Sequence, residues 1–167
     1  MPKATADTQA KPNGVLPWFP SRQERRTVRL EVPGLPIAQP RQRHTKTGIN
    51  YTPTNAPANR WKATLALAWQ EQGQQPLTGA LMLWCEFVLP RTKTCPAKVP
   101  RPLWKAAQWI LHRSRPDLDN LVKAVKDALN GLAWADDCQV AQLFAGKRYA
   151  ADGEAPHAKL TIQEVQP

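Results

Sequence analysis

The chain has 167 residues and a formal net charge of +10, from 23 Lys and Arg against 13 Asp and Glu, so it is sized for one domain and biased toward a polyanionic partner. No apolar run approaches the roughly 20 residues of a membrane span, and the N-terminal residues lack the basic-then-apolar order of a signal peptide, which predicts an intracellular, cytoplasmic protein. Cys85, Cys95 and Cys138 form an odd set without zinc-like spacing, and His44, His112 and His157 are scattered; both patterns argue against a disulfide framework or a histidine-built metal site.

Residues 1–26 are polar, interrupted by Pro and Gly, and without sustained periodicity, so they are expected to form a flexible arm ahead of a domain spanning 27–167. Within the arm, Val15 to Pro20 is an apolar cluster able to dock on the domain or on a partner. Val28, Leu30 and Val32 alternate with Arg29 and Glu31, the period of a half-buried strand that Pro33-Gly34 ends. A long loop rich in Pro, Thr and basic residues then runs to about Pro57 and carries Arg41 and Arg43.

Asn59 to Gln72 is predicted to be a helix with Trp61, Leu65 and Ala68 on one face and Gly73 at its end. Ala80 to Leu89 is a nearly unbroken apolar run, as expected of a strand covered on both faces, with Trp61, Trp69 and Trp84 assigned to the core. A Pro- and Lys-rich connection follows, with a short helix expected over 103–111. Trp104 stands in that basic context, where core packing and stacking on an unpaired base are both open.

After Pro116, Leu118, Leu121, Val122, Val125, Leu129 and Leu132 recur at the 3.6-residue period, and Asn130-Gly131 supplies a stop. The opposite face carries Asp119, Lys123, Lys126 and Asp127. Cys138 to Tyr149 reads as a strand whose irregular alternation suggests a bulge, and Ala158 to Val165 as a last strand. The order strand, helix, strand, helix, strand, strand predicts an α+β domain with a mixed sheet and helices packed on it.

Charge is distributed unevenly along this order. Residues 32–70 hold Arg41, Arg43, Lys46, Arg60 and Lys62 without an acid, and residues 87–116 hold seven basic residues without an acid. Between Phe87 and Ala151 every carboxylate, namely Asp117, Asp119, Asp127, Asp136 and Asp137, falls in one window of 21 residues. Basic flanks draw in phosphates while clustered oxygen anions can hold a divalent cation, the layout of a nucleic-acid hydrolase.

Two fully helical residues two apart would point about 200° from each other. Asp117 is therefore placed on the extended entry that Pro116 favours, so that it and Asp119 can converge on one ion. Lys123 lies one turn beyond Asp119 on the same face. Ordinary structural roles compete with this reading: Asp119 as a helix cap, Asp117 as a solvated loop residue, Lys123 as an i, i+4 partner of Asp119, and Asp136-Asp137 as an exposed turn.

The run Pro116-Asp117-Leu118-Asp119-Asn120-Leu121-Val122-Lys123, then Asp127-Ala128-Leu129-Asn130 and Trp134-Ala135-Asp136-Asp137-Cys138-Gln139-Val140, resembles the core motif of the RusA-type Holliday-junction resolvases. Arg41-Gln42-Arg43, Tyr51-Thr52-Pro53 and Lys147-Arg148-Tyr149 extend the likeness from about Thr27 to Val165. The resemblance implies a homodimeric, Mg²⁺-dependent endonuclease of bacterial or prophage origin that cuts four-way DNA junctions, with one or two ions per site. It also implies that Asp117, Asp119, Asp137 and Lys123 are catalytic, with the three aspartates as metal ligands; Asp136, adjacent to Asp137, is a further candidate ligand outside that implied set. The arm and the basic segment from Arg91 to Arg115 depart from the family pattern.

Arg41, Arg43, Arg113, Arg115, Lys147 and Arg148 are the candidate DNA contacts, each of which taken singly also fits a solvated surface charge. Two other functions compete: a nuclease for flaps, forks or other branched intermediates using the same metal site, and a DNA-binding protein without catalysis.

Overall fold

A computed structural model of the chain describes residues 25–40, 43–44, 50–51, 56–91 and 110–165. The elements are β1 (Thr27–Pro33), β2 (Arg43–His44), β3 (Asn50–Tyr51), α1 (Pro57–Glu71), β4 (Ala80–Leu89), α2 (Leu118–Leu129), β5 (Val140–Tyr149) and β6 (His157–Val165). Four strands form one sheet in the order β1-β6-β4-β5, and β2 pairs with β3 separately. The β1–β6 and β4–β6 pairs are antiparallel and the β4–β5 pair is parallel. The fold is thus the expected small α+β domain with a mixed sheet.

Both helices lie on one face of the sheet. α1 presents Ala58, Trp61, Leu65 and Trp69, spaced three and four apart, as its buried stripe. α2 buries Leu121, Val122, Val125 and Leu129. These meet the core face of the strands, Val28, Leu30, Val32, Leu81, Leu83, Phe87, Leu160 and Ile162. The Trp61 and Phe87 rings pack tilted at 6.3 Å. Each fully buried aliphatic side chain, such as Leu65, contributes about 2 kcal/mol by leaving water, which outweighs the modest intrinsic propensities of these segments.

The opposite face is divided. Across it, Arg29, Thr161, Trp84 and Phe144 stand in one cross-strand row. Phe144 stacks on Trp84 at 5.4 Å and keeps 49% of its surface exposed. Trp84 is therefore not a core residue, contrary to expectation. β4 is helix-covered on one face only: on the other, Met82 and Val88 are buried while Trp84 and Glu86 are half-buried. Val88 and Met82 explain why the run looked apolar throughout.

Local differences have local causes. The loop expected over 33–57 contains the two-residue pairing of β2 with β3. The segment expected to open β5 at Cys138 first makes a 3₁₀ turn over Asp137–Gln139. Leu81 pairs with Val140 but Met82 with Gln142, so Ala141 is the extra residue of the anticipated bulge. The arm to residue 24 and most of the helix expected over 103–111 lie outside the described residues. At the end of that span, Ile110 O accepts from Tyr149 N and Leu111 bridges Arg148, so this part runs along β5 instead of coiling.

No helix among the described residues is long and apolar enough to cross a membrane.

Candidate active site

Asp117 occupies the N-cap position of α2 with extended angles, φ −71° and ψ 141°, and its side chain makes no capping hydrogen bond. Its exposed carboxylate is thus not consumed by the helix it precedes. Asp119 follows in the first turn, where the helix dipole favours an anion. Lys123 and Lys126, four and seven residues beyond Asp119, continue the same stripe.

The chain returns to this stripe through Gly131, whose φ of +74° is the left-handed geometry that glycine adopts without strain. Gly131 N donates to Trp134 O at 2.8 Å, closing the turn. Trp134 is fully buried, and its indole Nε1 donates to Asp137 Oδ1 at 3.0 Å. The other carboxylate oxygen, Oδ2, lies 3.7 Å from Lys126 Nζ. Asp137 is therefore oriented by one neutral donor and one cation.

The adjacent Asp136 is bonded differently. Its carboxylate accepts from Cys138 N at 2.8 Å, while Gln139 Oε1 accepts from Asp136 N at 3.1 Å, a reciprocal cap of the 3₁₀ turn. The backbone N–H of Cys138 holds the Asp136 carboxyl below its ordinary range. Gln139 Nε2 also donates to Gly79 O at 3.0 Å, fastening the turn to the start of β4. The Asp136 carboxylate thus caps the turn that presents Asp137.

Asp119, Lys123, Lys126, Asp127 and Asp137 line one cavity of about 710 Å³ between α2 and β5. Its apolar side comes from Leu118, Val122, Leu143 and Ala145. Asp127 is paired with Lys62 of α1 at 3.0 Å, an exposed bridge worth at most about 1 kcal/mol. Lys123 makes no ion pair among the described residues, so the i, i+4 pair with Asp119 does not form. Asp117 is not part of the lining, and among the described residues no three His, Cys, Asp or Glu side chains form a ready metal cage. The expected convergence of Asp117 with Asp119 is thus incomplete.

The donor set nevertheless suits a hard divalent cation. All the groups in question are carboxylates, and two of them, Asp119 and Asp137, face the same cavity. Mg²⁺ commonly takes one or two carboxylates together with waters and substrate phosphate oxygens, so a cage built wholly from protein is not required.

The candidate DNA contacts fare unequally. Arg41 lies outside the described residues, and of Arg43 only the strand position is described. Arg113 and Arg115 are exposed on the approach to α2. Arg148 is not on the surface: its side chain is 8% exposed, Nε donates to Glu86 at 2.6 Å, and the two terminal nitrogens grip Glu154 at 2.6 and 2.7 Å. This pairing holds the Glu154 carboxyl down at about 2, chiefly through the hydrogen bonds from Arg148. Lys147 points to the helix face and donates to Ser114 O at 2.6 Å and Pro116 O at 2.5 Å. Both side chains are engaged by groups of the protein itself.

Burial pushes the Cys85 thiol up to about 12, which makes it inert, and Cys138 is an exposed free thiol. Trp134 and Gln139 are site residues that periodicity did not single out. The helical period places Lys126 on the Asp119–Lys123 face, whereas nothing local marks Trp134 as a donor to Asp137.

The cavity lining carries three aspartates against two lysines, a balance that disfavours phosphate unless a cation is held there, as in the class of metal-assisted nucleic-acid hydrolases. Comparison with known proteins narrows the class. The family model for the endodeoxyribonuclease RusA matches residues 33–163. The uncharacterized protein YqaN of Bacillus subtilis (strain 168) is 33% identical over 141 residues, covering 83% of this chain and 96% of the relative. The chain belongs to the RusA endodeoxyribonuclease family.

Proposed function

We propose that the protein is a Mg²⁺-dependent endonuclease that resolves four-way DNA junctions by paired phosphodiester hydrolysis, acting in the cytoplasm in DNA recombination and repair and encoded by a bacterium or prophage. The observation that carries this reading is the cavity shared by Asp119, Asp137, Lys123 and Lys126 in a chain of the RusA family.

Asp119 and Asp137, with Asp117 at the helix entry, would hold one or two ions. When bound, such ions supply an activated water for in-line attack and offset charge on the leaving oxygen. Trp134 and Lys126 keep the Asp137 carboxylate aimed while the site waits for substrate. Lys123, which makes no ion pair among the described residues, brings its ammonium to the phosphoryl oxygens, where a point charge suffices to stabilise developing negative charge.

DNA would approach along the basic loop. Gln39 N donates to Asn120 O at 2.9 Å, which anchors that loop one residue from Asp119. Arg41 and Arg43 follow Gln39 by two and four residues in the chain, and Arg113 and Arg115 precede Asp117 by four and two.

The reading is tested by incubating the protein with a labelled four-way junction and a matched linear duplex, with and without Mg²⁺. Symmetric cuts in the junction alone, and only with the cation, are expected. Preferential cutting of flaps or forks would keep the site and change the substrate, whereas binding without cleavage would refute the catalytic assignment.

Resolution requires two cuts, and each chain supplies one set of Asp117, Asp119 and Asp137, so we assign the working form as a two-fold homodimer. The half-exposed face of β4 and β5 with Trp84 and Phe144 is the surface for it, being the exposed aromatic patch among the described residues. A mixed dimer of wild-type and D119N subunits on a supercoiled cruciform should nick one strand without linearising the plasmid. A monomer that stays singly bound yet makes both cuts would contradict the assignment.

A further inference from the structure

Lys147 has a position that a DNA-binding lysine would not adopt. On β5 it follows Leu143 and Ala145 on the helix side of the sheet and pairs with Phe87 of β4. Its ammonium is turned away from the open face and is half-buried, with two of its three donors spent on the carbonyls of Ser114 and Pro116. Those carbonyls belong to the segment immediately before Asp117.

The same segment is tied to β5 by its backbone. His112 N donates to Lys147 O at 3.0 Å and Tyr149 N to Ile110 O at 2.9 Å. These bonds fix the chain as far as His112. Between His112 and the first turn of α2, residues 114–116 bend, and Asp117, with no capping bond of its own, depends on that bend for its placement. Lys147 supplies side-chain bonds across the bend, one of them to the residue directly preceding Asp117. An ammonium held between two carbonyls makes charge-assisted bonds, which are stronger than neutral ones.

From this geometry we infer that Lys147 is a positioning residue for Asp117: by bonding the carbonyls of Ser114 and Pro116 it sets where the Asp117 carboxylate stands relative to Asp119. The inference rests on the proposed role of Asp117 as a ligand. It predicts that Lys147 acts through Asp117 and adds nothing to DNA affinity.

The test is a double-mutant cycle of K147M and D117N, read by the rise in melting temperature that Mn²⁺ or Mg²⁺ gives the DNA-free protein, alongside junction binding without cation and cleavage with it. K147M should raise the half-saturating cation concentration about tenfold or more, the usual cost of losing a residue that orients a ligand. Junction binding should stay within about twofold of wild type, and K147R, which keeps charge and donors, should recover most of the cation affinity. The double variant should be no worse than D117N alone, because effects routed through one residue do not add.

Additive effects, or an unchanged cation midpoint, would overturn the proposal, as would weaker junction binding with a salt slope reduced by about one, the mark of a lost phosphate contact. If K147M does not fold, K147Q, which retains a neutral donor, carries the same cycle. Failure of the wild-type protein to cut any branched DNA would count against the nuclease reading and leave the cation arm able to decide this one.

Discussion

D137N and D119N are each expected to lower junction cleavage by more than about 100-fold while four-way junction binding in the absence of cation is kept. Asn preserves the shape of the side chain and removes the charge that a divalent cation requires, so the loss should exceed the roughly 10–100-fold cost of disturbing a residue that only orients a ligand. The basic surface is untouched, and removing an anion from the cavity does not weaken attraction for phosphate. The neighbouring position supplies the control. The Asp136 carboxylate accepts from Cys138 N, and Asn caps as well as Asp, so D136N should cleave nearly as the parent does. Cleavage and gel-shift titrations on the same junction separate the two effects. Equal losses in D136N and D137N, or loss of binding with normal cleavage per bound complex, would refute the assignment.

R148M is expected to destabilise the fold by about 3 kcal/mol, a fall in Tm of about 10 °C for a chain of this size, with little change in junction affinity. Removing the guanidinium leaves Glu86 and Glu154 facing one another without a cation. Their 29% and 22% exposure places the cost at the lower end for a broken buried pair. The pH dependence has a definite sign. Glu154 titrates near 2 in the folded protein against 4.5 ordinarily, so its stabilising contribution is fully present above about pH 4.5 and is lost as pH falls toward 2. The stability of R148M should therefore change less than that of wild type across this window. Thermal unfolding between pH 2 and 6 checks both statements. A normal Tm with weakened, less salt-dependent junction binding would return Arg148 to the DNA surface.

Much of the local structure was determined by the sequence alone. β4 begins and ends at Ala80 and Leu89 as expected, because Gly79 and Pro90 punctuate an apolar run on either side. α2 follows from its 3.6-residue stripe, and the extended placement of Asp117 follows from Pro116, since both depend on contacts within a few residues. The Asp119–Lys123–Lys126 stripe was legible for the same reason. What the tertiary structure decided is which groups meet across the chain. Lys147 and Arg148 are adjacent cations that look equally suited to a phosphate, yet strand alternation sends them to opposite faces. There one finds carbonyls about 30 residues earlier in the chain and the other finds Glu86, 62 residues earlier. Asp136 and Asp137 are likewise indistinguishable as a pair. A 3₁₀ turn bolted to Gly79 by Gln139 separates them, giving one carboxylate to the backbone and the other to Trp134, Lys126 and the cavity. The parallel placement of β5 beside β4, which closes that cavity against α2, rests on burial summed over the whole core. Such partners are set by the packing of distant segments, and no short-range pattern encodes them.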